Sequence, residues 1–186
     1  FQMFEKDLPG KGTKDFATSA DDIGNLPLEV CETINGSWGF NLKDRKHKSE
    51  KELVQYLVKA AGYGSNLLLN VGPMPNGKIQ DEHIESLKKI GKWVKQNGQT
   101  IYNTKRGPIS PSDEIASTQD GNIVYIHLLD NNKSEYFIEG FKSKFKNISY
   151  LDSNKKVSYK KTKTGLHLIL DKKEINSIDT ILIMEL

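Results

Sequence analysis

The sequence predicts two parts of different fold class, an α/β part over residues 1–107 and an all-β part over residues 108–186. Before Gly107, strand-like runs alternate with apolar residues at helical spacing, and this rhythm is typical of parallel βα units. After it, short β-branched and aromatic runs follow one another with turn residues between them, as in a small antiparallel β-sandwich. Pro108 and Pro111 stand between the two patterns and predict a linker.

The first half of the α/β part contains two predicted strands and a helix. Residues 1–4 form a short extended run that ends at Glu5, and residues 28–34 form a second strand-like run. Ser49 followed by Glu52 is the pattern of a capping box, so a helix is predicted to begin there. Gly62 is predicted to end this helix.

A third strand and a second helix complete the α/β part. Residues 66–71 place three leucines between two asparagines, which predicts a strand buried on both faces. Asp81 is predicted to cap the next helix, and Gly98 lies past its end.

The strands of the all-β part are predicted at residues 123–129, 136–138, 148–151, 157–159, 166–170 and 180–184. The first of these is apolar on both alternating faces and is expected to be buried on both, with His127 as a packed residue.

Composition excludes several classes of partner. The chain has 27 basic and 24 acidic residues, and a net charge of +3 is too small to predict a nucleic-acid interface. No apolar run approaches 18 residues, so we expect no membrane span. The single cysteine, Cys31, excludes an internal disulfide and is expected to be a buried structural residue. The four histidines lack zinc-ligand spacing, so no metal and no cofactor are expected.

Two carboxylates and a tryptophan are candidates for chemistry. Glu5 and Glu29 follow or interrupt apolar segments, a setting that raises a carboxyl pKa and suits a general acid. The alternative is that both pair with lysine or arginine at strand ends. Trp38 lies between Gly36 and Gly39, and such a ring can pack on the apolar face of a sugar or serve the core. Trp93 is predicted to be a core residue.

Four motifs agree in order and spacing with one known family. They are residues 1–10, which contain a Phe-Glu-x-Asp-Leu-Pro-Gly pattern, and then residues 28–40, 66–73 and 98–102. Together they make residues 1–107 similar to the distal part of the α-L-fucosidases, a family of retaining glycoside hydrolases. The resemblance implies the distal part of a (β/α)₈-like barrel followed by a C-terminal β-sandwich. It also implies hydrolysis of terminal α-L-fucosyl linkages in glycans with retention of configuration.

The resemblance assigns roles to three of these residues. Glu5 matches the general acid/base of members that share the pattern, and Glu29 is the fallback for the same role. Trp38 matches an aromatic residue that contacts fucose. The nucleophilic aspartate of the family lies upstream of Phe1, so we expect a C-terminal fragment that needs the remaining N-terminal part of the catalytic domain for activity. We also expect a secreted or periplasmic protein. The alternative is a non-catalytic fucose-binding or other carbohydrate-binding protein on the same fold.

Overall fold

The computed structural model describes residues 2–4 and 28–186. Two compact units make up the chain, Phe1–Gly98 and Gln99–Leu186. The second unit begins before the boundary predicted at Gly107, because residues 105–106 already pair with a strand of that unit. Each unit has its own sheet or sheets, and the two are described separately.

The first unit contains a parallel three-stranded sheet with the order β1-β2-β3. The strands are β1 (Gln2–Phe4), β2 (Leu28–Thr33) and β3 (Ser65–Asn70), and the helices are α1 (Glu50–Gly62) and α2 (Asp81–Asn97). Both helices and all three strands were predicted. The succession of strand, helix and strand with parallel pairing confirms the βα unit.

Helix α1 begins at the predicted capping box. The side chain of Ser49 accepts a hydrogen bond from the Glu52 amide at 3.2 Å, and the Glu52 carboxylate accepts one from the Ser49 amide at 2.7 Å. Both free backbone donors are thereby satisfied. The bonds from the Ser49 backbone and side chain hold the pKa of Glu52 below its ordinary value.

Helix α1 covers one face of the sheet. Val30 of β2 and Ala60 of α1 are buried together, with Leu67 of β3 packed against them. On the opposite face, Cys31 is buried as expected, but its neighbour in register, Leu68, is 43% exposed. The prediction that β3 is buried on both faces is therefore wrong. Strand β3 lies at the edge of the sheet, and its leucine residues are packed on one face of the sheet only.

Helix α2 differs from prediction by one residue at its start. Its N-cap is Gln80 rather than Asp81, and the Gln80 side chain makes no capping hydrogen bond. Asp81 is the first helical residue, where a carboxylate still interacts favourably with the helix dipole. Trp93 is 6% exposed, which confirms it as a core residue.

The second unit is an antiparallel β-sandwich. One sheet has the order β4-β5-β6-β11-β8 and the other β7-β10-β9. The strands are β4 (Lys105–Arg106), β5 (Ile115–Asp120), β6 (Ile123–Leu128), β7 (Glu135–Glu139), β8 (Asn147–Tyr150), β9 (Ser158–Lys161), β10 (Gly165–Ile169) and β11 (Thr180–Glu185). Short 3₁₀ helices occupy Gly98–Thr100 and Lys172–Glu174. Apolar residues of both sheets form one buried core.

Strand β6 is buried on both faces, as predicted. Val124, Ile126 and Leu128 belong to the core, while Tyr125 and His127 are buried on the other face. The packed role of His127 is confirmed, since its Nδ1 lies 2.6 Å from a carboxylate oxygen of Asp179 and both side chains are fully buried.

The sequence did not predict β4 and β5, and it predicted a linker where the chain is packed. Strand β5 is rich in small polar residues that give no apolar alternation, yet Ser117 and Thr118 are fully buried. Ser117 Oγ donates to the carbonyl of Ile109 and accepts from its amide, both at 2.9 Å. Ile109 is 6% exposed, so the predicted linker is part of the sandwich core.

Candidate active site at the strand ends

The candidate site lies on the loops that follow β2 and β3. Because the two strands are parallel neighbours, their carboxyl ends meet at one edge of the sheet, and active sites of βα folds lie at that edge. The tryptophan loop, residues 36–44, follows β2. Asn70 at the end of β3 donates from its side-chain amide to the carbonyl of Trp38 at 2.7 Å, which joins the two strand ends.

Gly72 permits a second contact between these loops. A Cβ on Gly72 would lie 2.6 Å from the carbonyl carbon of Gly39 and 2.8 Å from the amide nitrogen of Phe40. Both are backbone atoms, which cannot move aside as a flexible side chain could. Glycine is therefore required at position 72 for the two backbones to approach this closely.

The tryptophan loop is also braced internally. Ser37 Oγ donates to the Asp44 carboxylate at 2.7 Å and accepts from the side-chain amide of Asn41 at 3.2 Å. A Cβ on Gly36 would lie 3.1 Å from the same Asp44 carboxylate, so this carboxylate packs closely against the start of the loop. These polar contacts hold the two ends of the loop together around Trp38.

Lys48 fastens the base of the loop to the end of β2. Its ammonium donates to the carbonyl of Thr33 at 2.8 Å and to that of Asn35 at 3.3 Å, and it forms an ion pair with Glu32 at 3.1 Å. The Lys48 amide donates to the carbonyl of Ile34 at 2.8 Å. Carbonyls that a strand leaves unpaired at its end are thus satisfied.

Trp38 is 44% exposed, so the alternative that it is a core residue is wrong. Its backbone is fixed by Asn70 and by the loop contacts, while a large part of its ring remains accessible. A fixed, accessible aromatic surface at a strand end is suited to stacking on the apolar face of a pyranose.

The two candidate acid/base residues are placed differently. Glu5 lies outside the described residues, and its role stays a prediction. Glu29 is half-buried in β2, four residues before Thr33 and so about 13 Å from the strand end. Within residues 28–186 no ion pair involves Glu29. The lysine pairing considered for it is made instead by Glu32, with Lys48.

The structure brings together residues that sequence reasoning did not connect. The rings of His47 and His83 meet edge to face with centroids 5.3 Å apart. His47 also lines a cavity of about 360 Å³ with Phe40, Asp44 and Gln80. No spacing rule links positions 47 and 83, because their proximity depends on the tertiary structure.

Within the described part of the chain, no three histidine, cysteine or acidic residues are grouped as metal ligands, and no helix is long and apolar enough to cross a membrane.

Fold and site together define the class: a distal part of a (β/α)₈-like barrel with an aromatic residue at a strand end, followed by a β-sandwich. Residues 1–99 match the family model "Alpha-L-fucosidase". The chain therefore belongs to the α-L-fucosidase family.

Sequence relatives include the human plasma α-L-fucosidase, 39% identical over 79 residues, and the bovine tissue α-L-fucosidase, 34% identical over 105 residues. These matches cover 41% and 54% of this chain, but only 17% and 22% of the relatives. The chain thus spans about a fifth of the length of the curated relatives it matches.

Solved structures match over nearly the whole chain. The α-L-fucosidase isoenzyme 1 of Paenibacillus thiaminolyticus superimposes with a TM-score of 0.79 and 26% identity, over 98% of this chain and 44% of that one. The Thermotoga maritima α-fucosidase in complex with fucose superimposes with a TM-score of 0.77 and 27% identity. This match covers 89% of this chain and 41% of that one. Both matches extend beyond residue 99 and confirm the order of barrel part and sandwich.

Proposed function

We propose that this chain is the C-terminal part of a retaining α-L-fucosidase, an enzyme that hydrolyses terminal α-L-fucosyl linkages in glycans. The observation that carries the proposal is the exposed ring of Trp38, held at the end of β2 by the bond from Asn70. Membership of the α-L-fucosidase family supports fucose as the sugar. The Thermotoga maritima neighbour, crystallised with fucose, supports the same choice.

In the proposed reaction, Trp38 packs against the apolar face of fucose and holds it at the strand ends. An aspartate from the remaining N-terminal part of the catalytic domain attacks the anomeric carbon, and the bond to the leaving oxygen breaks. Glu5 donates its proton to that oxygen. The Glu5 carboxylate then takes a proton from water as the water displaces the aspartate, so the product keeps the α configuration.

The remaining N-terminal part is proposed because the chain spans only 41–44% of the solved neighbours that it matches over most of its own length. Purified residues 1–186 are accordingly expected to show no turnover of an aryl α-L-fucoside. The longer polypeptide is expected to hydrolyse it. The secreted or periplasmic location stays a prediction.

The experiment that tests the proposal follows hydrolysis of an aryl α-L-fucoside by the longer polypeptide, with the product anomer read by proton NMR. The α anomer as first product supports the retaining mechanism, and the β anomer contradicts it. Binding of L-fucose without turnover would favour the non-catalytic alternative. Hydrolysis by residues 1–186 alone would overturn the fragment argument.

A further inference from the structure

A second cavity, of about 310 Å³, lies in the sandwich between the segment that precedes β5 and the end of β7. Its volume is at the lower end of the range for small-molecule sites. Ser110 and Ser112 line it on one side, and residues 137–141 line it on the other. These residues all belong to the second unit, so the cavity is formed within that unit.

Both walls of this cavity are held in place without a ligand. On one side, the amide and the carbonyl of Ile109 both bond to Ser117 Oγ at 2.9 Å. On the other side, β7 pairs with β10 along its whole length, and the Gly140 amide just beyond it donates to the carbonyl of Thr164 at 2.7 Å. A preformed cavity orders few groups when it binds a ligand, so the entropic cost of binding is low.

The ring of Phe137 is an accessible aromatic surface at the cavity. Its neighbours in β7, Tyr136 and Ile138, belong to the sandwich core, so the Phe137 side chain lies on the outer face of the sheet. Phe137 is 53% exposed. Gly165 of β10 leaves room for the ring, because a Cβ there would lie 3.0 Å from Phe137 Cζ. The ring therefore lies close to the β10 backbone, with much of its surface accessible to a ligand.

Phe141 and Ser112 add a second ring and a hydrogen-bond donor to the cavity. The Phe141 ring packs on that of Phe145, with centroids 6.2 Å apart. Ser112 Oγ accepts from the amides of Glu114 and Ile115 at 3.2 and 3.3 Å, which leaves its hydroxyl proton to donate to a ligand. These groups suit a ligand that has both an apolar face and polar groups.

The charge of the cavity narrows the class of ligand. Among the described residues that line it, Glu139 alone is charged. Its carboxylate disfavours phosphate, sulfate or carboxylate groups, and a single carboxylate supplies too few ligands for Ca²⁺. It accepts hydrogen bonds well from hydroxyl groups. A neutral sugar has such hydroxyls, together with an apolar face that packs on aromatic rings.

We propose that this cavity binds a sugar residue of a neutral glycan chain, which packs on Phe137 and donates hydrogen bonds from its hydroxyls to Glu139. Ser112 donates to an oxygen of the same sugar. The inference goes beyond the proposed function, because it assigns glycan binding to the sandwich and does not depend on hydrolysis.

The test measures the dissociation constant of the longer polypeptide for fucosylated xyloglucan, a neutral polysaccharide, by affinity electrophoresis. All proteins carry Trp38→Ala, so that the proposed fucose site contributes little to the retention. Phe137→Ala should raise the dissociation constant about two- to tenfold, the value of one aromatic contact. Glu139→Gln should raise it about two- to fivefold, because a hydrogen bond to a carboxylate is stronger than one to a neutral amide.

Ile169→Ala is the matched control, because Ile169 is 42% exposed on the same sheet and does not line the cavity. It should leave the dissociation constant unchanged. All three replaced side chains are exposed, so the thermal midpoints should equal that of the Trp38→Ala protein. A change in retention then reports binding and not folding.

Three results would each show that the inference is wrong: no retention of the Trp38→Ala polypeptide, an unchanged dissociation constant in Phe137→Ala, or an equal rise in Ile169→Ala. Turnover of an aryl α-L-fucoside by the polypeptide with Trp38 intact tests the proposed function separately. Its absence would contradict that function and leave the retention result standing.

Discussion

Two glycines, one in each unit, allow equally close contacts with different results. A Cβ on Gly72 would lie 2.6 Å from the Gly39 backbone, and one on Gly107 would lie 2.8 Å from the carbonyl carbon of Ser117. The first contact accompanies an exposed Trp38 on a loop held by polar bonds. The second accompanies a buried Ile109, whose amide and carbonyl both bond to Ser117.

The difference shows what each unit contributes. In the sandwich, close packing buries apolar side chains, and the result is stability. At the strand ends of the first unit, comparable packing fixes a backbone and leaves its aromatic side chain accessible, so conformational freedom is removed before any ligand binds. The comparison predicts that changes at the strand ends alter catalysis and that changes in the sandwich alter stability.

The largest expected effect is that of Glu5→Ala in the longer polypeptide. Loss of a general acid should lower turnover of substrates with poor leaving groups by about 10²- to 10⁴-fold, because those groups need protonation to depart. For activated aryl fucosides the rate of the first step should fall less, and the fucosyl-enzyme should accumulate. Azide should restore turnover, and NMR should identify the product as α-fucosyl azide.

A β-fucosyl azide would mean that Glu5 is the nucleophile. If Glu5→Ala is not rescued and Glu29→Ala shows the whole pattern, the acid/base role belongs to Glu29. The first result would contradict the proposed aspartate nucleophile, whereas the second would keep the proposed mechanism and change only the residue that acts as acid/base.

Replacing each of the two tryptophans should distinguish a residue that binds the sugar from a residue that stabilises the core. Trp38→Ala should raise the activation free energy, measured as kcat/KM, by about 1–3 kcal/mol and leave thermal stability nearly unchanged. Trp93→Ala is the matched control, because Trp93 is buried. It should lower the free energy of unfolding by about 3–5 kcal/mol. A large loss of stability with normal kinetics in Trp38→Ala would refute its role in sugar binding.

The glycine comparison can be tested by adding one methyl group. Gly72→Ala should destabilise the protein by about 1–3 kcal/mol and raise KM, since the tryptophan loop must move. Gly39→Ala is its control in the same loop, because a Cβ there meets nothing within 4 Å. Gly107→Ala should destabilise by a similar amount with KM unchanged. An unchanged KM in Gly72→Ala would show that the contact at Gly72 does not position Trp38.

The smallest effect expected is a pH dependence of stability from His83. Burial, with a contribution from His47, holds the pKa of His83 below its ordinary value of about 6.5. The unfolded chain therefore takes up this proton more readily, so stability is fully present above about pH 6.5 and falls as the pH drops below it. Denaturant unfolding at pH 7.5 and 5.5 measures the difference. His83→Phe should reduce it, and an unchanged difference would exclude His83 as its source.

The elements with strong local signals were predictable. The capping box of Ser49 and Glu52 fixed the start of α1, and the alternation in residues 123–129 predicted a strand buried on both faces, since both signals arise from neighbours in sequence. Strand β5 was not predictable. Its small polar residues become buried because Ser117 and Thr118 pair with Ile109 and Thr100. The exposure of Leu68 was not predictable either, because it depends on the position of β3 at the edge of the sheet.

The sequence by itself determined the family motifs, the parallel βα unit, the sandwich and the candidacy of Trp38. The tertiary structure decided that Trp38 is exposed, that Gly72 contacts its loop and that the chain around His47 meets the start of α2 in a polar cavity. Periodicity and capping act between residues a few positions apart, so a sequence displays them directly. The site joins loops more than thirty residues apart, and only the register of β2 against β3 brings them together.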